Sequence, residues 1–179
     1  HSNFEIVVAD DGSEITTAHL IKQIQQETSL RIRQVWQSDA GFRKCRILNR
    51  ALLAARGEYL VFTDGDCIPR SDFLATHVRI RRPGYFLSGG YFKLPLDTSQ
   101  KITRQDIESG RAFDISWLRQ HGLGPSPKNV RLRTWGWRTK LLNALTTTRA
   151  SWNGHNASTW AALARKVNGF DERLHYGGE

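Results

Sequence analysis

The chain has 179 residues, 39% hydrophobic and 24% charged, with 26 basic against 17 acidic side chains and a net charge of +9. Those totals describe one soluble globular domain large enough for a core. They exclude a disulfide-stapled scaffold, since Cys45 and Cys67 form neither a C-x-x-C pair nor a framework, and this points to a reducing compartment. No apolar run is long enough to span a bilayer and no signal peptide is visible.

Phe4 to Ala9 reads as a strand, Asp10-Asp11-Gly12-Ser13 as a turn, and Leu20, Ile21 and Ile24 as the apolar face of a helix capped by Ser13, Thr16 or Thr17. Leu30, Ile32, Val35 and Trp36 form a second strand, and Gly41 opens a loop. Cys45, Leu48, Ala51, Leu52 and Ala55 then fall on one helical face, opposite Arg43, Lys44, Arg46, Asn49, Arg50 and Arg56, and Gly57 stops the helix. Tyr59-Leu60-Val61-Phe62 is the next strand. This alternation is that of a mostly parallel α/β sheet. Further elements are a helix over 71–80 capped by Ser71, a strand over 85–88, a helix near 105–120, and a helix near 159–167. Residues 93–148 lose the alternation and match no named pattern.

Asp64-Gly65-Asp66 follows the most apolar strand with only Thr63 between. Ligands of open α/β sheets bind beyond the carboxyl ends of the strands. Two carboxylates there, one residue apart, can hold a hard divalent cation, which in turn holds a diphosphate. D-G-D is also a common turn, with Gly65 supplying a positive φ. Basic residues concentrate at 31–50, at Arg79, Arg81 and Arg82, and at 128–149. Such surfaces suit a nucleotide diphosphate, an anionic lipid or nucleic acid, or are simply solvated.

Five segments together carry a family likeness: Val7-Val8-Ala9-Asp10-Asp11-Gly12-Ser13, Gly41-Phe42-Arg43-Lys44 with Asn49, Glu58 through Asp66, Gly154-His155-Asn156, and Asn168-Gly169-Phe170-Asp171-Glu172 through Gly177-Gly178-Glu179. The chain resembles family 2 glycosyltransferases of the GT-A fold, bacterial type. Its last segment also resembles the carboxyl-terminal region of beta-1,4-galactosyltransferases, where N-G-F precedes G-G-E-D.

The resemblance implies a GT-A nucleotide-diphospho-sugar transferase: a Rossmann-like α/β fold in one domain. Residues 1–92 would form the nucleotide-sugar half and residues 93–179 the acceptor side. It implies that Asp10 and Asp11 form the acidic pair that contacts uracil. Asp64 and Asp66 would form the D-x-D motif that takes Mn or Mg, and Arg43 or Lys44 would neutralise the diphosphate. Glu179 matches the glutamate before the general base of inverting members, with that aspartate expected as the next residue. His175, Gly177 and Gly178 are expected at the acceptor site. His155 is expected near the metal or as a structural histidine, and Trp152 and Trp160 stack on sugar or pack inside. Cys67 is expected to pack. The chain lacks Met even at position 1 and ends Gly177-Gly178-Glu179, so a segment truncated at both ends is expected.

The implied reaction moves a sugar from a nucleotide-diphospho-sugar, UDP above all, to the hydroxyl of a glycan or lipid-linked acceptor. The setting is polysaccharide biosynthesis, in the cytoplasm and peripheral at the inner face of the membrane, with no nucleic-acid partner. Trp135 and Trp137 among Lys128, Arg131, Arg133, Arg138, Lys140 and Arg149 suit an anionic headgroup region or a packed, solvated loop. Two rivals remain. A sugar-nucleotide nucleotidyltransferase needs a glycine-rich phosphate loop, and none is visible. A non-catalytic basic module leaves the acids at two successive strand ends unexplained.

Overall fold

The computed structural model describes residues 3–127, 129, 132 and 151–174. Over these the chain runs β1 (Glu5–Asp10), α1 (Ile15–Glu27), β2 (Arg31–Trp36), α2 (Lys44–Ala54), β3 (Tyr59–Phe62), α3 (Phe73–Ile80) and β4 (Leu87–Ser88). There follow α4 (Leu96–Ser99), α5 (Arg104–Glu108), a 3-10 turn (Arg111–Phe113), α6 (Ile115–Gln120), β5 (Ala157–Trp160) and α7 (Ala161–Lys166). The α/β character and the first three strands fall where the apolar pattern puts them.

β1 and β2 pair in parallel, Glu5 opposite Arg31 through Asp10 opposite Trp36. The connection between them is α1, as a parallel crossover requires. β3, β5 and β4 form a second ladder with β5 in the middle, and both of its pairings are antiparallel. The D-G-D strand, expected as a buried parallel strand, is therefore half-buried and paired with an antiparallel neighbour. Glu5 ties the two regions, accepting from the backbone N–H of Arg56 at 2.6 Å and of Gly57 at 3.2 Å on the approach to β3.

α2 packs against β1, β2 and α7 at once. Burial therefore spreads beyond a single stripe: Cys45, Ile47 and Leu52 are buried, and Ile47, outside the expected apolar set, is 1% exposed. β5 and α7 supply Ala157, Ala161 and Ala164 to the core, and a smaller cluster gathers Ala112, Ile115, Leu118 and Leu123.

Several boundaries differ from the sequence reading. Ala157-Ser158-Thr159-Trp160, of which Thr159 and Trp160 were read as helical, is the central strand; its small side chains are buried because strands flank it on both sides. The helix expected near 105–120 is broken at Gly110, which takes a left-handed φ of 78°. The strand expected over 85–88 keeps only its last two residues. Neither α1 nor α3 has a side-chain cap; Glu14 and Asp72 stand at the cap positions in place of Ser13 and Ser71.

Candidate functional site

β1 delivers Asp10 and Asp11 to its carboxyl end. Asp10 is 4% exposed and accepts from the Ser13 N–H at 2.8 Å and from Gln34 Nε2 at 2.6 Å. Burial pushes its carboxyl up, but the hydrogen bonds from Ser13 and Gln34 outweigh that and hold it below its ordinary value. Asp10 thus shapes the turn after β1. Asp11 is half-buried: Oδ1 accepts from Gln37 Nε2 at 2.5 Å and Oδ2 from the Arg43 N–H at 2.6 Å. Arg43 sits at the start of α2 without a cap of its own. Asp11 caps that helix from another strand, with its charge at the favourable end of the helix dipole.

The next residue reaches the second acidic strand end. Lys44 Nζ lies 3.0 Å from Asp64 Oδ1, the side chains 23% and 34% exposed. The first turn of α2 thereby bridges Asp11 after β1 and Asp64 after β3. Arg43 points elsewhere: its guanidinium donates to the Ser38 carbonyl, and its buried Nε has no hydrogen-bond partner among the described residues.

Asp66 is exposed, and the Cys67 thiol donates to its Oδ1 at 3.7 Å. Burial pushes the Cys67 thiol up and both carboxylates push it further, so it stays a thiol, a poor ligand for Mg or Mn. Among the described residues no group of three or more His, Cys, Asp and Glu side chains comes together at metal-binding spacing. Asp64 and Asp66 still fit a hard cation. Their donors are all oxygen, and Mg or Mn is commonly held by one or two carboxylates, with substrate phosphates and water completing its shell.

The register brings a third element to this edge. Phe62 and Ser88 both pair with Ala157, so D-G-D, Gly89-Gly90 and residues 153–156 meet at one end of the ladder. Gly89 N donates to the Asn156 carbonyl at 2.8 Å. Asn153 Nδ2 donates to Ser88 Oγ at 2.8 Å and to the Gly89 carbonyl at 2.7 Å, and Asn156 Nδ2 to the Gly90 carbonyl at 2.8 Å. His155 meets the ring of Tyr91 edge-on at 4.5 Å, and Tyr91 is 62% exposed. His155 Nε2 is buried without a hydrogen-bond partner among the described residues. Trp152 and Trp160 both pack, Trp152 against Phe62 at 5.1 Å and Phe170 at 5.9 Å, Trp160 against Tyr59 at 5.2 Å.

Behind this edge runs a buried polar chain that sequence reasoning missed. His77 of α3 is 6% exposed, with Nδ1 2.7 Å from Ser158 Oγ and Nε2 3.0 Å from Asn156 Oδ1. Asn156 donates to Gly90 through Nδ2, so its oxygen faces His77, and Nε2 carries the ring proton. Nδ1 then accepts from Ser158 Oγ, which in turn accepts from the Tyr59 hydroxyl at 2.7 Å. Burial pushes the His77 pKa down despite the Asn156 contact, which favours this neutral form. Gln37 and Asn49 were also missed in their roles. Their partners lie 26 and 121 residues away, and nothing local marks them.

His175, Gly177, Gly178 and Glu179 lie outside the described residues, as do Trp135, Trp137 and the basic residues around them.

The model of the glycosyl transferase family 2 domain matches residues 1–166. The chain is 30% identical over 78 residues to a chondroitin synthase of Escherichia coli, covering 44% of this chain and 11% of that protein. It is 34% identical over 76 residues to the glycosyltransferase YfnE of Bacillus subtilis, covering 42% of this chain and 19% of that one. To a hyaluronan synthase of Pasteurella multocida it is 33% identical over 78 residues, covering 44% and 8%. The chain therefore spans a small part of each relative. The family match ends before Asn168, so the likeness of the last segment to galactosyltransferases stays an expectation.

Proposed function

Because the chain belongs to glycosyl transferase family 2, we propose that it transfers a sugar from a nucleoside-diphosphate donor, UDP-linked, to a hydroxyl of a growing polysaccharide. The observation that carries this reading is the bridge at the start of α2. Arg43 N–H on Asp11 and Lys44 on Asp64 bring two acidic strand ends, far apart in sequence, to one locus.

Asp11 retains lone pairs beyond the two bonds it accepts, and a carboxylate there accepts the imide N–H of uracil. Asp64 and Asp66 would hold Mn or Mg, which would supply positive charge against the departing diphosphate. Lys44, at the rim of the same site, adds a positive charge toward the diphosphate. Asp10 holds the turn that presents Asp11. Gly89-Gly90, Tyr91 and His155 border the D-G-D end of the ladder, where the 93–179 half begins. The acceptor oxygen attacks the anomeric carbon as its bond to the diphosphate breaks, inverting that carbon, and the hydroxyl proton passes to a general base. Chondroitin and hyaluronan synthases among the relatives support a polysaccharide product.

The test is donor-dependent release of UDP from a panel of UDP-sugars with Mn, beside thermal shifts with UDP and Mn, Mn alone, and duplex DNA. The reading expects stabilisation by UDP with Mn beyond Mn alone, and turnover with at least one donor. Stabilisation by DNA alone, with no response to UDP, would replace it with a nucleic-acid-binding module.

A further inference from the structure

We propose that the turn from Arg79 to Phe86 is a docking surface for an anionic lipid bilayer. From Phe73 to Leu96 the chain has no acidic residue, while Arg79, Arg81, Arg82 and Lys93 are basic. Arg79, Arg81 and Arg82 are exposed, and no carboxylate pairs with any of them among the described residues. Beside them Ile80 is 49% exposed, Tyr85 66% and Phe86 40%. Single exposed apolar side chains are ordinary, but three within one basic turn form a patch that needs a reason.

The turn is fixed in shape, and Phe86 rests one side of its ring on Trp152, 5.9 Å between centroids. Arg82-Pro83-Gly84-Tyr85 has proline second and Gly84 third at φ 79°, the arrangement of a type II turn. The Arg82 carbonyl accepts from the Tyr85 N–H at 3.3 Å and from Trp160 Nε1 at 2.8 Å. Arg81 lies over the rings of Tyr59 and Trp160, at 5.9 and 5.8 Å. The backbone is thus fixed to the sheet, and Arg79 and Arg82 are left to meet phosphates.

Place and chemistry select the partner. Tyr59 pairs with Trp160 at the opposite end of β3 from D-G-D, so the patch stands at least about 10 Å from the acidic edge, at roughly 3.3 Å per residue. The proposal is independent of the transfer reading. Phosphates alone would satisfy the arginines, as in a nucleic acid. Ile80, Tyr85 and Phe86 instead suit the headgroup region, where apolar and aromatic groups meet fixed negative charge. A domain so docked turns its D-G-D edge away from the bilayer.

Sedimentation of the full chain with vesicles of phosphatidylcholine and phosphatidylglycerol, against phosphatidylcholine alone, tests this without turnover. Binding is expected only with phosphatidylglycerol, weakening as salt is raised. Arg79→Ala with Arg82→Ala is expected to weaken it about 30-fold, since each arginine near an anionic surface is worth about fivefold. Arg50→Ala with Arg119→Ala removes the same charge elsewhere and is expected to cost much less. Tyr85→Ser with Phe86→Ser is expected to weaken vesicle binding while binding of soluble heparin stays unchanged; thermal midpoints establish that each variant is folded. No binding at low salt, or equal losses from the two arginine pairs, overturns the proposal. Vesicle binding indifferent to the Tyr85 and Phe86 changes also overturns it, in favour of a general polyanion site.

Discussion

Asn49 and Phe170 exchange two hydrogen bonds across 121 residues: Phe170 N–H donates to Asn49 Oδ1 at 2.8 Å, and Asn49 Nδ2 donates back to the Phe170 carbonyl at 2.9 Å. The same Nδ2 meets Glu172 Oε1 at 2.9 Å. One side chain on α2 thus pins the Asn168-Gly169-Phe170-Asp171-Glu172 segment, which leads toward the expected acceptor residues. Asn49→Ala is expected to destabilise the chain by about 1–3 kcal/mol, the cost of leaving half-buried backbone groups unpaired. Urea denaturation measures the loss, and faster amide exchange at Phe170 locates it. Unchanged exchange there would refute the pin.

Gly169 sits under that contact. Its φ is +70°, and a β-carbon would stand 2.3 Å from Asn49 Oδ1. Gly169→Ala is expected to cost at least as much as Asn49→Ala, because strain in the left-handed region adds to the clash. In the double variant the clash disappears, so the two losses should sum to more than the combined effect. Strict additivity in urea midpoints would contradict this.

Asp66 is exposed and bonded only to a neighbouring thiol among the described residues, so its removal should hardly touch the fold. Asp66→Asn is expected to abolish Mn-dependent transfer at an unchanged thermal midpoint. Lys44→Ala is expected to weaken donor binding while costing under about 1 kcal/mol of stability, as partly exposed ion pairs do. Normal turnover of the Asp66 variant in Mn would remove it from the metal site.

Asp11 has a structural duty beside its proposed one. Asp11→Ala is expected to weaken UDP binding by about 1–3 kcal/mol and to loosen the start of α2. Gln37→Ala separates the two effects, because it removes one bond to Asp11 and leaves the carboxylate. It should lower the thermal midpoint with little change in UDP affinity. Calorimetry showing equal UDP affinity for Asp11→Ala and the parent would exclude base recognition by Asp11.

His77 links stability to pH. Its folded pKa lies below the ordinary 6.5, so the unfolded chain binds the proton more readily. The neutral ring's contribution is full above 6.5 and is lost as pH falls through the lower, folded value. The parent is therefore expected to lose stability as pH drops below about 6.5. His77→Gln should be less stable at neutral pH, yet lack this share of the acid dependence. Parallel stability curves for the two proteins would show that His77 does not titrate in this window.

The first three strands and α2 were legible because each carries its own apolar period, and the acids at two strand ends were legible because charge is costly there. β5 was not, since Ala157, Ser158 and Thr159 are buried only by the neighbours that pair with them. His77 and Asn49 looked like polar residues on helices; what makes them structural lies 79 and 121 residues away. The basic residues after Gly41 show the limit of position alone. Lys44 reaches D-G-D, whereas Arg43, one residue earlier, turns its guanidinium to Ser38 and offers its backbone instead.

The chain leaves the sheet at Ser88 and re-enters it at Ala157, and these two residues are register partners, with Gly89 N–H bonded to the Asn156 carbonyl just above them. The excursion between them, which includes α4, α5 and α6, is drawn shut at its neck. The entropy of closing such a loop rises only with the logarithm of its length. Length added to or removed from the exposed turns among its described residues therefore carries a small thermodynamic penalty, while Asn153, Asn156 and the two glycines keep the gateway closed. The sheet edge is thus held shut by side-chain amides, so change in the turns beyond it need not reach the strands.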